Sequence, residues 1–198
     1  RLNAPFITAH TQHRPLVTLK WAQSLDGFID RSRKNNTEAP VLFSTPLRQR
    51  EIHRERMHHD AILVGYRTAL LDDPQLTNRL WYSSSPIRVV LDPQLALPPT
   101  LRLFTDGLAP TWVIYLEGAG VPQPREGVRY LPLSGERIEP KQLLQRLYEE
   151  GILSLLIEGG AATLSSFLSL GLYDRLLVEV ASKTLGEGVP APAIPTAL

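Results

Sequence analysis

The sequence predicts an α/β fold built on a largely parallel sheet. Three observations carry that expectation. Short apolar and β-branched runs alternate with helix-patterned segments along the chain, the signature of strand-helix-strand units. The runs end at turn signals, Gly65 after one and Asp92-Pro93 after another. The length of 198 residues, 43% hydrophobic, is enough to bury a real core and suits a single domain spanning residues 1–198.

Taken in order, residues 1–14 are polar, carry several His and Thr, show no period, and read as an N-terminal arm or leader strand. Leu16 to Trp21 combines β-branched and aromatic residues in a run that favours a buried strand. Asp26-Gly27 supplies a tight turn, and Phe28-Ile29 resumes the apolar stretch. Thr45 as cap and Pro46 at the first helical position open a charged surface helix from Leu47 to His59. Ala61 to Val64 is a compact apolar strand, and Asp72-Asp73-Pro74 a loop. Ile87 to Leu91 and Trp112 to Leu116 are strands, and the Pro- and Gly-rich stretches 95–110 and 117–127 are loops. Lys141 to Glu150 places Leu143, Leu144 and Leu147 at helical spacing. Leu153 to Ile157 is a strand, Ala161 to Leu170 a helix and Arg175 to Val180 a further strand. Residues 189–198 read as an irregular tail.

Composition narrows the function classes. Lys plus Arg number 21 against 20 Asp plus Glu, so nothing electrostatic points to nucleic acid or an anionic membrane as partner. The absence of cysteine removes disulfides, thiol nucleophiles and zinc-thiolate sites, and weakly favours the cytoplasm. Redox chemistry then has to come from a bound cofactor. No apolar run approaches the ~20 residues that span a bilayer.

The strongest local signal runs from Leu155 through Ile157-Glu158-Gly159-Gly160-Ala161-Ala162-Thr163-Leu164, where an apolar strand meets two glycines and then a helix. Glycine lets backbone approach a ligand, and the free N–H groups and positive dipole end of a helix start favour phosphate. The same pattern also serves a plain strand-to-helix turn, and it lacks the Gly-x-Gly-x-x-Gly fingerprint. Lys20 on an apolar strand needs a partner or a pocket opening. Asp26 beside Ser24 is either a turn former or a carboxylate at a strand end. Asp72-Asp73 side chains diverge, and His53, His58 and His59 lack the spacing that puts two ligands on one helix face, so no metal site is expected. No Gly-x-Ser-x-Gly elbow or Gly-rich Lys-Ser/Thr loop occurs, which argues against hydrolase and ATPase readings.

Four ordered blocks together are more specific. Lys20 to Gly27, Ala61 to Gly65 leading into Leu71 to Arg79, Arg88 to Asp92, and Glu158-Gly159-Gly160 resemble the reductase domain of the bifunctional riboflavin-biosynthesis deaminase/reductase. Gly171 to Arg175 and Lys183 to Gly186 extend the likeness. The resemblance implies a dihydrofolate-reductase-like α/β fold, with a mostly parallel central sheet flanked by helices, and a homodimer. It implies NADPH as cofactor and reduction of 5-amino-6-(5-phosphoribosylamino)uracil to its ribitylamino product. Carried onto this sequence, it implies cofactor contacts at Ala22, Thr68, Asp72, Glu158, Gly159 and the helix start Gly160, Ala161, Ala162, Thr163 and Leu164, continuing to Ser166. It implies substrate contacts at Arg56, Leu76 and Arg79, and catalytic positions at Lys20 and Asp26.

Three departures accompany the likeness. Where the family carries a Ser-x-Trp-Ile-Thr-Ser-like stretch, this chain has Pro40-Val41-Leu42-Phe43-Ser44-Thr45. No deaminase domain is expected, because its zinc signature needs cysteine. The family runs past its Leu-Gly-x-Gly turn into a last strand pair, where this sequence becomes Pro-rich. The departures feed two alternatives: an NADPH-dependent reductase of another small substrate, and a non-catalytic nucleotide-binding member.

Overall fold

In the computed structural model, which describes residues 3–195, the apolar runs pair as parallel strands. The strands are β1 (Leu16–Gln23), β2 (Phe28–Asp30), β3 (Ala61–Val64), β4 (Ile87–Leu91), β5 (Thr111–Leu116), β6 (Val128–Leu133), β7 (Ser154–Gly159), β8 (Arg175–Val180) and β9 (Val189–Pro190). The helices are α1 (Ala4–Gln12), α2 (Pro46–Met57), α3 (Tyr66–Asp72), α4 (Arg102–Thr105), α5 (Pro140–Glu149) and α6 (Ala161–Ser169). Seven strands form one sheet in the order β6-β5-β4-β3-β7-β1-β8, with every pairing parallel. β2 and β9 form a separate antiparallel pair.

The period of two along the strands divides the core between the two faces of the sheet. Val17, Leu19 and Trp21 of β1 join Leu63, Leu155 and Ile157 under the apolar sides of α5 and α6, where Leu143, Leu144, Leu147, Leu164, Phe167 and Leu168 are buried. Ile62, Val64, Val90 and Leu156 face the other way, against Ala69, Leu76 and Leu103. Each fully buried Leu or Ile contributes about 1.5–3 kcal/mol of transfer free energy, so the central strands hold the sheet. Thr18, Lys20, Ala22 and Glu158 alternate with the α5 and α6 set and fall on the second face.

Strand order explains where a ligand can enter. After β3 the chain moves outward through β4 and β5 to β6. It then returns, inserts β7 between β3 and β1, and leaves toward β8 on the far side. The connections following β3 and β7 therefore diverge, and a crevice opens at the carboxyl ends of these two neighbours, as at the switch points of open α/β sheets. Gly65 ends β3 and Gly159-Gly160 ends β7.

Five details differ from the expectations of sequence, the first being that the stretch 95–110, expected as loop, contains the single-turn helix α4. The arm contains helix α1, started by Pro5 in its first turn and anchored by buried Thr8 and Ala9. Its polar surface hid the short buried stripe. The tail expected from residue 189 begins with β9, paired to β2, while its last residues, 196–198, lie outside the described region. β6 escaped notice because Arg129 and Pro132 interrupt its pattern, and Pro is tolerated there because β6 is an edge strand. Helix α3 follows Gly65, too short for a periodic signal, and takes in Asp72, expected as loop, as its last residue, with Asp73 as its C-cap.

Candidate active site

The crevice begins with two helix starts that lack side-chain caps. Gly65 is the N-cap of α3 and Gly160 that of α6, and neither has a side chain to satisfy the first N–H groups. Gly160 sits at φ 82°, a conformation that costs an L side chain roughly 1–2 kcal/mol. The helices approach so closely that a Cβ on Gly160 would lie 3.2 Å from Thr68 Oγ1 and 3.4 Å from Thr163 Oγ1. A Cβ on Gly159 would lie 3.1 Å from Thr68 Cγ2. The glycines are thus required by the packing of α3 on α6, and the same packing leaves amide donors facing the crevice.

Two adjoining cavities lie along it, and a third, of about 880 Å³, opens from its polar end between α2 and β8, sharing Lys20, Phe43 and Glu158 with the first. The first, of about 330 Å³, is lined by Lys20, Ala22, Thr68, Asp72, Glu158 and Gly160 among others. The second, of about 700 Å³, lies beyond the α6 start against Leu91, Pro93, Ile138, Pro140, Phe167 and Val189. Arg67, Thr68, Gly160, Ala161 and Val189 line both. Polar groups therefore gather at one end and apolar surface at the other, with the helix start between. That gradient suits an elongated ligand with a phosphate in its middle.

At the polar end β1 and β7 set Lys20 beside Glu158, since their register pairs Leu19 with Ile157. Glu158 is held by Arg56 of α2 in a two-pronged ion pair, Nε to Oε1 at 3.0 Å and Nη2 to Oε2 at 2.7 Å. Arg56 Nη1 donates to the Thr77 carbonyl at 2.8 Å. Burial raises the Glu158 carboxyl, but the Arg56 charge and hydrogen bonds, with Lys20 nearby, override it and hold it at about 2. His53, also buried on α2, is pushed down to about 4 by burial and by the charges of Arg56 and Arg79, so it is neutral at pH 7. Arg79 is exposed, and burial of its head with repulsion from Arg56 and Arg102 lowers it. Among the described residues no carboxylate pairs with Arg79, so this corner carries surplus positive charge suited to a phosphate.

The structure distributes the other expected residues unevenly. Ala22, Thr68, Asp72, Glu158, Gly159, Gly160, Ala161 and Leu164 line the first cavity, and Ala162, Thr163 and Ser166 the second. Leu76 instead turns its side chain into the core at 3% exposure, from a backbone at φ 53°, so only its main chain is available to a ligand. Asp26 lines neither cavity. Its carboxylate accepts from Gly186 N at 2.7 Å and Leu185 N at 3.0 Å, and it falls to about 2 through the Ser24 hydroxyl and these amides, against partial desolvation. Asp26 thus fastens the 183–188 segment, as turn chemistry would have it. Arg56 spends its fork on Glu158 rather than presenting it to solvent.

The altered stretch Pro40 to Ser44 still forms a wall of the first cavity. Ser44 Oγ donates to Glu179 at 2.6 Å, and Lys183 Nζ donates to the Leu42 carbonyl at 2.5 Å. Beneath it Arg33, 5% exposed, bonds Asp30 through Nε at 2.7 Å and Asp72 through Nη2. Burial raises the Asp72 carboxyl and Arg33 opposes the rise. Arg33 and Arg67 carry no motif in the sequence, while Phe43 stands there only as part of the stretch that departs from the family pattern.

The fold and the crevice define a class: an α/β protein with its ligand cleft at the carboxyl edge of a parallel sheet, at a topological switch point. Comparison with known proteins names the family. Residues 15–195 match the RibD C-terminal domain, and the chain belongs to that family. It is 38% identical over 191 residues to the riboflavin biosynthesis protein RibD of Aquifex aeolicus, covering 95% of this chain and 52% of that protein. It is 34% identical over 179 residues to the 2,5-diamino-6-ribosylamino-4(3H)-pyrimidinone 5′-phosphate reductase of Methanothermobacter thermautotrophicus, covering 87% of this chain and 80% of that protein. A crystal structure of a diaminohydroxyphosphoribosylaminopyrimidine deaminase/5-amino-6-(5-phosphoribosylamino)uracil reductase from Thermotoga maritima superposes with a TM-score of 0.80 at 32% identity. That match covers 98% of this chain and 53% of the other. The chain spans about half the length of the RibD relatives it matches. The dihydrofolate-reductase-like α/β fold expected from sequence is borne out. Among the described residues no helix is long and apolar enough to cross a membrane.

Proposed function

We propose that this chain is an NADPH-dependent reductase that converts 5-amino-6-(5-phosphoribosylamino)uracil to 5-amino-6-(5-phosphoribitylamino)uracil in riboflavin synthesis. The observation that carries the reading is the placement of Lys20 and Glu158 side by side at the polar end of a cleft whose middle is the uncapped start of α6. Family membership and the printed names of the relatives support the same chemistry. Once the sugar ring has opened, the substrate presents a C1=N imine. Hydride addition at C1 and protonation at nitrogen would give the C1–N amine of the ribityl product.

Bound NADPH supplies the hydride. The chain supplies position and charge. Amides of Gly160 to Thr163 would hold the pyrophosphate, and the apolar cavity beyond them would take the adenine. Lys20 Nζ holds a proton at the reacting end and gives it to the imine nitrogen as hydride arrives. Glu158, fixed by Arg56, keeps that ammonium in place. Arg79 grips the ribose phosphate with its unspent fork, while Arg56 stays paired with Glu158. Asp26 acts at a distance, holding the turn that carries Lys183. A homodimer is part of the proposal: β8 is an open sheet edge, with Leu176, Leu177 and Val178 half-buried and Val180 exposed.

A second reading has its own support. The archaeal relative is named for the 2,5-diamino pyrimidinone phosphate, a substrate with the same ribose phosphate and the same imine chemistry, and this chain covers most of its length. NADPH fluorescence should change on titration in either case, and no change up to millimolar cofactor would remove both. Comparing NADPH oxidation with the two pyrimidines then identifies the substrate.

A further inference from the structure

We propose that Arg67 selects the phosphorylated dinucleotide, by pairing its guanidinium with the 2′-phosphate of NADPH. The inference rests on the cofactor reading above and deepens it. Arg67 is the second residue of α3 and lines both cavities, at the boundary where the phosphate-binding middle of the cleft gives way to its apolar end. Among the residues that line the apolar cavity it is the one charged side chain; the rest are apolar, glycine or hydroxyl-bearing. Its Nη2 donates to the Arg33 carbonyl at 3.0 Å, which anchors the head at this boundary and leaves its other donors for a ligand.

Three features separate a 2′-phosphate role from a pyrophosphate role. The uncapped N–H groups of α6 would serve the pyrophosphate, so a cation is not needed there. With adenine among Leu91, Pro93, Ile138 and Phe167, the ribose that bears the 2′ substituent falls at the mouth of the apolar cavity, beside Arg67. Among the described residues that line the apolar cavity there is no acid to favour a free 2′-hydroxyl, the device by which NAD-binding sites reject the phosphate. The nearby strand-end carboxylate, Asp92, is 3% exposed and turns both oxygens inward, onto Ala96 N and Leu97 N at 2.9 Å each.

The test is a fluorescence titration of wild type, Arg67→Ala and Arg67→Lys with NADPH and with NADH. Wild type should prefer NADPH. Arg67→Ala should lose about 10- to 100-fold in NADPH affinity, the range of a charge-assisted hydrogen bond, while NADH affinity stays unchanged. Arg67→Lys should fall between, because it keeps the charge and loses the fork. Since Arg67 is exposed, the melting temperatures should coincide. Equal losses for both dinucleotides would place Arg67 on the pyrophosphate and overturn the inference, as would no loss, or a wild type without preference. A wild type that binds neither dinucleotide would remove the cofactor reading, and this inference with it.

Discussion

Glu158 at the end of β7 and Arg56 of α2 clasp each other through two hydrogen bonds, 3.0 and 2.7 Å long, directly beside Lys20. The pair ties the sheet to the helix that covers it and keeps one negative charge fixed at the polar end of the cleft.

Removing one partner should therefore be costly. Glu158→Gln leaves the Arg56 guanidinium buried without its counter-charge, a loss of about 3–5 kcal/mol. For a chain of this size that lowers the melting temperature by roughly 6–20 °C. Replacing both residues, as in Arg56→Met with Glu158→Leu, should restore much of the melting temperature without restoring turnover. Differential scanning calorimetry on the singles and the double would reveal this non-additivity, and strictly additive losses would refute the coupling.

Acid should destabilise the protein in two windows. The His53 ring falls from 6.5 to about 4 in the fold, so the unfolded chain takes up its proton first and stability declines as pH drops from 6.5 toward 4. His59, lowered by burial and wedged between Glu55 and Thr18, adds in the same direction. Glu158 falls from 4.5 to about 2, so its contribution is complete above 4.5 and disappears as pH falls from there toward 2. Urea midpoints measured against pH should show both slopes, and His53→Gln should flatten the upper one.

The start of α6 tolerates no side chain at Gly160. Gly160→Asp places a carboxylate at the uncapped amides of the α6 start, where the proposal seats a phosphate, and, at φ 82°, strains the backbone as well. NADPH binding should be lost in Gly160→Asp and weakened in Gly160→Ala, and high salt should narrow the gap between the two variants. At Gly65 the backbone would accept alanine, but its Cβ would overlap Thr163 Oγ1. Gly65→Ala should lower the melting temperature and Thr163→Ala should restore it; a lack of rescue would disprove that contact as the cause.

Lys20 should be separable from binding. Lys20→Met keeps the volume of the stem and removes the proton, so turnover should fall by about 10²–10⁴ while NADPH affinity holds. Loss of affinity in proportion to turnover would make Lys20 a binding residue instead.

The sheet was legible because its strands are short apolar runs that end at Gly65, Asp92-Pro93 and Gly159-Gly160. Local signals of that kind survive in a single sequence. α1 and β6 were not legible, since the burial of Thr8 and Ala9 and the tolerance of Pro132 depend on what packs beside them and on position in the sheet. The cleft itself was read from the Glu158 to Leu164 block and Lys20, which lie on neighbouring strands. What sequence could not reveal was pairing across 102 residues: Arg56 looked free for a phosphate until Glu158 was found on its fork. Nor could it reveal that Asp26, a catalytic position by resemblance, holds the amides of a turn 160 residues away. Arg67 carried no motif and gains meaning only from the cavity it borders.

The central claim is that this cleft transfers hydride to an opened ribosylamine. The direct measurement is the nicotinamide absorbance of the wild-type protein with NADPH, before and after addition of 5-amino-6-(5-phosphoribosylamino)uracil. The proposal predicts a loss of absorbance matched one to one by the ribitylamino product, and none in Lys20→Met over the same interval. Steady absorbance with NADPH demonstrably bound, for this pyrimidine and for its 2,5-diamino counterpart alike, would contradict it.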